Sequence, residues 1–333
     1  MNALAAAPGL SEYRQQLRQR LDGCSARPSR PAGPAQVLPL LRPAPQGNEP
    51  ALEQSLSLQD DPYLMDHVVD GKPVLPMAVA LELMAQRVAA GWPQWQIAEL
   101  RDARQFSGIV FENRNPRRVI LRATDAGTDA DGYPTVTVEL IDVHTQLPRY
   151  RATAVLSAAL PQGPLLQQDP LPDAVTIDAA RTYNEILFHG ESFHLIRAIT
   201  ALAPPGIDAE VHPSSPHRLL GERHASGRWL FDPGLLDVPP QLAFVWAREL
   251  RNAGALPIRF GRIQRYGDEP LEGLLRLQLR FKPASHPQGL CYDAQIADAG
   301  GRLRLAITDG ESTMSGALNR LSRGHPDFRR EAG

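Results

Sequence analysis

Two stretches of the chain carry apolar residues at helical spacing, and each is followed by runs in which apolar and polar residues alternate. Between residues 76 and 90 the apolar positions are Met77, Val79, Ala80, Leu83, Met84 and Val88, with Pro76 ahead of them and Gly91 and Pro93 behind. A proline at the start and breakers at the end predict a helix over this stretch. Between residues 235 and 250, Leu236, Leu242, Phe244, Val245 and Trp246 predict a second one. Strands are predicted after the first helix at 96–111, 118–124, 135–143 and 150–160, and after the second at 258–266, 274–281, 292–296 and 303–307. Leu275 to Phe281 alternates most cleanly, as a half-buried antiparallel strand does.

One apolar helix followed by about four antiparallel strands, written twice, predicts an α+β double repeat. Joining the two sheets edge to edge would hide two exposed strand edges. The boundaries read from the sequence are a linker at 1–50, a first repeat at 51–160, a connector at 161–172 and a second repeat at 173–325. The linker assignment rests on Pro28, Pro31, Pro34, Pro39, Pro43 and Pro45, a density that interrupts helix and central strand alike.

Composition narrows the function classes. The 333 residues are 43% hydrophobic and 22% charged, the balance of a folded chain. A net charge of −2 gives no electrostatic reason to expect nucleic acid or an anionic membrane. Cys24 and Cys291 make neither a disulfide framework nor a zinc pair. There is no apolar run long enough for a membrane span and no signal-peptide pattern at residues 1–10, so the cytoplasm is the default location. Phosphate-binding glycine motifs are absent and the histidines lack metal-ligand spacing, so neither a nucleotide cofactor nor a metal is expected.

The candidate chemistry lies just ahead of the two helices. His67 begins His-x-x-x-Gly-x-x-x-x-Pro, ending at Gly71 and Pro76, among Val68, Val69, Val74 and Leu75. Partial burial there would keep the imidazole neutral and fit it for general-base work. Gly71 would let backbone N–H groups approach a ligand carbonyl. Asp237 and Gln241 are four apart and share one helical face. Pro239 and Pro240 suit only a first helical turn, which places Asp237 at or near the N-cap, where apolar neighbours would raise its pKa and keep it protonated. A third cluster, Tyr183 to His194, holds Phe188, His189, Gly190 and Phe193 in what reads as a close-packed turn.

These three motifs, in this order, resemble the dehydratase domain of type I polyketide synthases. Residues 67–76 match its H-x-x-x-G-x-x-x-x-P, His189-Gly190-Glu191-Ser192-Phe193 resembles its (Y/H)-G-P-x-F, and Asp237-x-x-x-Gln241 resembles its D-x-x-x-Q/H. The likeness spans roughly residues 50–320. Leu187 to Gly190 and Val74 to Met77 look closer to the polyunsaturated-fatty-acid and enediyne branch than to modular synthases. Two residues depart from the pattern: Glu191 stands where proline is usual, and Pro239-Pro240 replaces small residues.

The resemblance implies a double hot-dog fold, in which two repeats each wrap an antiparallel sheet around a long helix. It implies loss of water from a β-hydroxyacyl thioester to give an enoyl thioester, without a metal or organic cofactor, the substrate riding on the phosphopantetheine arm of an acyl carrier protein. His67 would remove the α-proton, Asp237 would protonate the leaving hydroxyl and Gln241 would orient Asp237. Gly71, Leu75, Pro76, Tyr183, His189, Gly190 and Phe193 would line the substrate site. The implied partners are the carrier protein and neighbouring synthase domains, with a homodimer as one available assembly. An aldol cyclase resembling product-template domains, and a non-catalytic scaffold or docking homologue, are the competing readings.

Overall fold

The computed structural model describes residues 37–42, 51–222, 227–284 and 286–328. Two long helices, α1 (Met77–Gly91) and α2 (Pro233–Arg251), pack on each other inside a single twelve-stranded sheet. Every residue of α1 from Met77 to Val88 is buried, as is every residue of α2 from Pro233 to Ala247. A helix buried on all sides needs cover on all sides, and the sheet supplies it.

The first repeat contributes β1 (Ala51–Leu56), β4 (Gln96–Gln105), β5 (Arg117–Thr128), β6 (Pro134–Asp142) and β7 (Leu147–Ser157). The small hairpin β2 (Val68–Val69) and β3 (Lys72–Pro73) stands apart from the sheet. The second repeat contributes β8 (Val175–Asp178), β9 (Ile196–Ala203), β10 (Gly206–Val211), β11 (Gly254–Arg265), β12 (Leu275–Lys282), β13 (Gly289–Ala297) and β14 (Leu303–Ser315). The strand order is β1-β5-β6-β7-β4-β11-β14-β13-β12-β10-β9-β8, antiparallel throughout.

That order is close to a mirror about the β4–β11 seam. Outward from the seam, the four strands after each helix run first, fourth, third, second, and a strand preceding each helix, β1 or β10, comes next. β8 and β9 have no counterpart in the first repeat. At the seam Phe260 faces Ala103 and Ile263 faces Leu100 across the register. Period-two burial fits the sheet to the helices: Leu275, Leu277 and Leu279 of β12 are buried while Arg276 is exposed.

All eight strands expected after the helices are present, with ends shifted by up to eight residues, the most at β14. The expected strand 96–111 stops at Gln105, because Ile109 and Phe111 bond instead to the segment after His67: Leu75 N donates to Ile109 O and Phe111 N to Pro73 O. Most of the expected linker lies outside the described residues. Residues 37–42 pack on the domain, as a linker ending at its edge would: Leu40 is fully buried, its N–H donates to Gln86 Oε1 and its carbonyl accepts from Gln54. The segment expected to connect the repeats lies along the start of β14, with Leu303 N bonded to Pro164 O and Leu166 N to Gly301 O. No helix among the described residues is long and apolar enough to cross a membrane.

Candidate active site

His67 follows a 3-10 turn, Pro62–Asp66, whose Tyr63 and Leu64 are buried. Its backbone carbonyl accepts from Val74 N, and its ring Nδ1 lies 2.8 Å from Val74 O. A carbonyl only accepts, so Nδ1 carries the proton and Nε2 keeps its lone pair. The hairpin that returns Val74 to His67 turns at Asp70 and Gly71, with φ of 51° and 79°. A two-residue turn of this hand favours the Asp-Gly pair found here. Gly71 therefore sits at a hairpin tip, with residues 72–76 between it and α1. Leu75 is locked at both backbone ends, its N–H to Ile109 O and its carbonyl to Tyr150 Oη. Pro76 precedes α1 with no side-chain cap, leaving the first-turn N–H groups without intrahelical acceptors.

Asp237 is not at an N-cap. Asp232 caps α2 by accepting from Leu235 N, and it also accepts from Ser214 N at 2.6 Å. Asp237 is the fifth residue of the helix, and Pro239 and Pro240 lie in its interior. Lacking N–H groups, these prolines leave the Leu235 and Leu236 carbonyls without their usual helical donors, at about 3 kcal/mol or more per proline. Full burial of Leu235, Leu236, Val238, Leu242 and Val245 offsets that at roughly 1.5–3 kcal/mol each. The helical spacing survives, and Gln241 Nε2 donates to Asp237 Oδ2 at 2.9 Å.

The third motif completes the group. His189, 5% exposed, places Nε2 3.3 Å from Asp237 Oδ2. One donor atom from each of His67, His189 and Asp237 lies within 4.8 Å of the other two. Such compactness also suits a metal, but here one Asp237 oxygen already accepts from both His189 and Gln241. Phe188 stacks on His189 at 4.0 Å between centroids, and Phe188 and Phe193 flank the His67 ring at 5.4 and 6.0 Å.

Tyr183 stands behind the carboxylate: its hydroxyl lies 3.3 Å from Gln241 Oε1 and accepts from Ile196 N at 2.9 Å. Gly190 is required by a close approach, since a Cβ there would lie 2.0 Å from Asp66 Oδ1. Gly190 N donates to Asp66 O and Ser192 N to Asp66 Oδ2, which ties the residue before His67 to the turn after His189. Asp66 went unread in the sequence, and its mark there was only adjacency to His67. Glu191 is exposed at the first position of a 3-10 turn, a site that accepts proline or an acid equally well.

The segment after β14 also reaches this site. Arg320 forms a two-pronged ion pair with Asp70 at the hairpin tip. Arg323 donates to the carbonyls of Leu187 and His189, and Ser322 Oγ donates to Glu185 O.

Electrostatics separates the groups. Burial and the neighbouring His189 charge lower His67 to about 4, against the pull of Asp237, so it is neutral at pH 7. Burial alone would raise Asp237, as expected from sequence, but the structure reverses the direction. Its hydrogen bond to His189, the electrostatic pull of the two imidazoles and the Gln241 amide together bring it below the ordinary carboxylate value. An open cleft of about 590 Å³ lined by Ser55, Asp60, Met65 and Arg114 holds none of these residues, so volume alone does not mark the site.

A family model described as polyketide synthase dehydratase domain matches residues 39–139, and one described as polyketide synthase dehydratase N-terminal domain matches 161–322. A polyunsaturated fatty acid synthase polypeptide of Thraustochytrium sp. is 25% identical over 240 residues, 70% of this chain. The chain spans about 8% of the length of that curated relative. A trans-AT polyketide synthase dehydratase domain from Brevibacillus brevis superposes with a TM-score of 0.64 at 17% identity, covering 83% of this chain and 99% of that one. The dehydratase domain of the CurJ module of curacin polyketide synthase gives 0.60 at 18% identity, with 80% and 93% covered. These solved structures share the double hot-dog architecture described above.

Proposed function

Because the chain belongs to the polyketide synthase dehydratase family, we propose that it removes water from a β-hydroxyacyl thioester presented by an acyl carrier protein. The observation that carries this reading is a neutral imidazole, His67, gathered with a buried carboxyl group, Asp237, so that a ring nitrogen of one and an oxygen of the other lie within 4.8 Å. An α-proton beside a thioester is only mildly acidic and hydroxide leaves poorly, so a base and an acid must act on adjacent carbons.

His67 Nε2 takes the α-proton, and Val74 O fixes the tautomer that makes this possible. Asp237 delivers a proton to the β-hydroxyl as the C–O bond breaks. Gln241, itself held by Tyr183, keeps Asp237 in one rotamer. Negative charge that builds on the thioester oxygen is met by backbone N–H groups of the same segment, Gly71 in the hairpin turn and the uncapped first turn of α1. Nothing in these steps calls for a metal or an organic cofactor, and the phosphopantetheine arm serves only to carry the substrate.

The test is to incubate the purified protein with β-hydroxyacyl pantetheine thioesters, and with the same acyl groups on a carrier protein, and to follow the loss of one water by mass spectrometry. Formation of the enoyl product, abolished by His67→Ala, is the expected result. Failure of every chain length tried would overturn the reading.

A further inference from the structure

We propose that the proton delivered to the leaving hydroxyl is stored on His189 and passed through Asp237, so that an imidazolium–carboxylate pair, and not the carboxyl alone, is the acid of this site. This rests on the dehydratase reading above and adds a residue to it. His189 acts through Asp237 and is in that sense a positioning and proton-holding residue.

The arrangement around Asp237 favours a charged carboxylate. Oδ2 lies 2.9 Å from Gln241 Nε2 and 3.3 Å from His189 Nε2, so two N–H groups converge on one oxygen. Both donors stabilise the ionised form, and Asp237 is held below the ordinary carboxylate value despite its burial. A carboxylate that is ionised at the working pH has no proton of its own to give. The group touching it is an imidazole, the side chain type that exchanges a proton near neutrality.

One positive charge on His189 would also serve the base. The two imidazole rings are 5.5 Å apart between centroids, so a proton held on His189 would oppose protonation of His67. Other charged or titratable groups face His189 less directly. His194 Nε2 lies 3.0 Å from its backbone carbonyl and Arg323 donates to the same oxygen, Asp66 accepts from the neighbouring Gly190 N, and Tyr183 stacks on His194 and bonds to Gln241. The ring itself lies on Phe188, and His189 Nδ1 is buried without a hydrogen-bond partner among the described residues.

The step balances. His67 Nε2 takes the α-hydrogen as a proton, and the C–H electron pair becomes the second bond between the α- and β-carbons. The β-carbon–oxygen pair leaves with oxygen, which takes a proton from Asp237 while the His189 Nε2 proton moves onto the carboxylate. Water departs, His67 has gained one positive charge and His189 has lost one. The charge of the site is unchanged and has only moved between two rings, which suits a buried pocket where creating charge is costly. With the three groups within 4.8 Å, a single water could return the proton from His67 to the pair.

The experiment has two arms. In the first, ¹⁵N-histidine spectra of the full chain are recorded at the pH of greatest activity, with His189→Gln identifying its signals. Both His189 nitrogens should be protonated and His67 should be singly protonated; a neutral His189 ring would overturn the proposal. In the second, kcat/KM for a β-hydroxyacyl pantetheine thioester is measured against pH. His189→Gln keeps an N–H donor for Asp237 but cannot carry a proton, so its alkaline limb should move to lower pH. The loss should be about 10-fold or more at pH 8 and within about threefold at pH 5, in the range of a lost acid–base contribution. An equal loss at every pH would show that His189 only orients Asp237. If the parent turned over no thioester, the dehydratase reading would fail, and the spectra would still decide which ring holds the proton.

Discussion

Helices α1 and α2 carry the same buried device and use it differently. Glu82 and Gln86 in α1 are four apart and bonded at 2.7 Å; Asp237 and Gln241 in α2 are four apart and bonded at 2.9 Å. Both acids are buried. Around Glu82 the other partners are backbone: Leu230 N and Phe231 N donate to its two oxygens, and Gln86 accepts from Leu40 N. Burial raises Glu82 to about 7 against these hydrogen bonds. Around Asp237 the partners are two imidazoles, and the direction reverses. An acid four residues before a glutamine is thus a tie between segments in one repeat and, in the other, the group we propose to pass a proton. The neighbours set the chemistry.

The largest separation between the two pairs should appear in turnover. Asp237→Asn and His67→Ala should each lower water loss by about 10³-fold, the scale of a general acid or base. Glu82→Gln should leave it within twofold when assayed below the melting transition. Steady-state rates of the three variants check this, and a slow Glu82→Gln would mean that α1 also takes part in the chemistry.

A smaller contrast concerns the glutamines. Gln241→Ala should slow turnover about 10-fold, or roughly 1.4 kcal/mol, because the donor survives while its rotamer is freed. Gln86→Ala should leave the rate unchanged but lower stability by about 1–3 kcal/mol, since Leu40 N and Glu82 each lose a buried partner. Chemical denaturation of the two variants side by side would separate the roles.

The pH dependence of stability sharpens the comparison further. Folding raises Glu82 from 4.5 to about 7, so the folded state holds a proton there that the unfolded state releases. Its contribution is fully present below pH 4.5 and is lost as pH rises through about 7, on the order of 3 kcal/mol in total. Urea midpoints at pH 5 and pH 8 should show this slope in the parent and a flatter one in Glu82→Gln. The smallest effect is at the cap of α2, where Asp232→Ala should cost about 1 kcal/mol and leave the pH profile of turnover in place.

The fold was legible because periodicity reports burial. Eight strands and both helices follow from apolar spacing, and the three motifs locate His67, Asp237 and Gln241. β1, β8 and β10 escaped notice because runs of four to six residues are too brief to show a period, and β9 because its buried Ile196, Ile199, Leu202 and Ala203 do not alternate. The start of α2 was misplaced because Pro239-Pro240 argues locally for a first turn, while tertiary burial holds them in the interior. The direction of the Asp237 shift was misread for a related reason. Burial can be inferred from flanking leucines, but a histidine arriving from 48 positions upstream in a different segment cannot. Glu82 carried no separate signal, since an acid on an otherwise apolar helix reads as a surface residue until the cover on that side is known.

The contacts made by Arg320, Ser322 and Arg323 bear on how this unit is cut and joined. They bridge the hairpin that carries His67 and the turn that carries His189, although the sheet is already complete at Ser315. A splice placed at the last strand, the natural choice for anyone exchanging such units between synthases, would keep the fold and release both motifs from their common strap. The useful junction lies beyond Gly324, whose N–H still bonds Glu185 O, and hybrids cut at the last strand should fold, bind substrate poorly and be mistaken for mismatched partners.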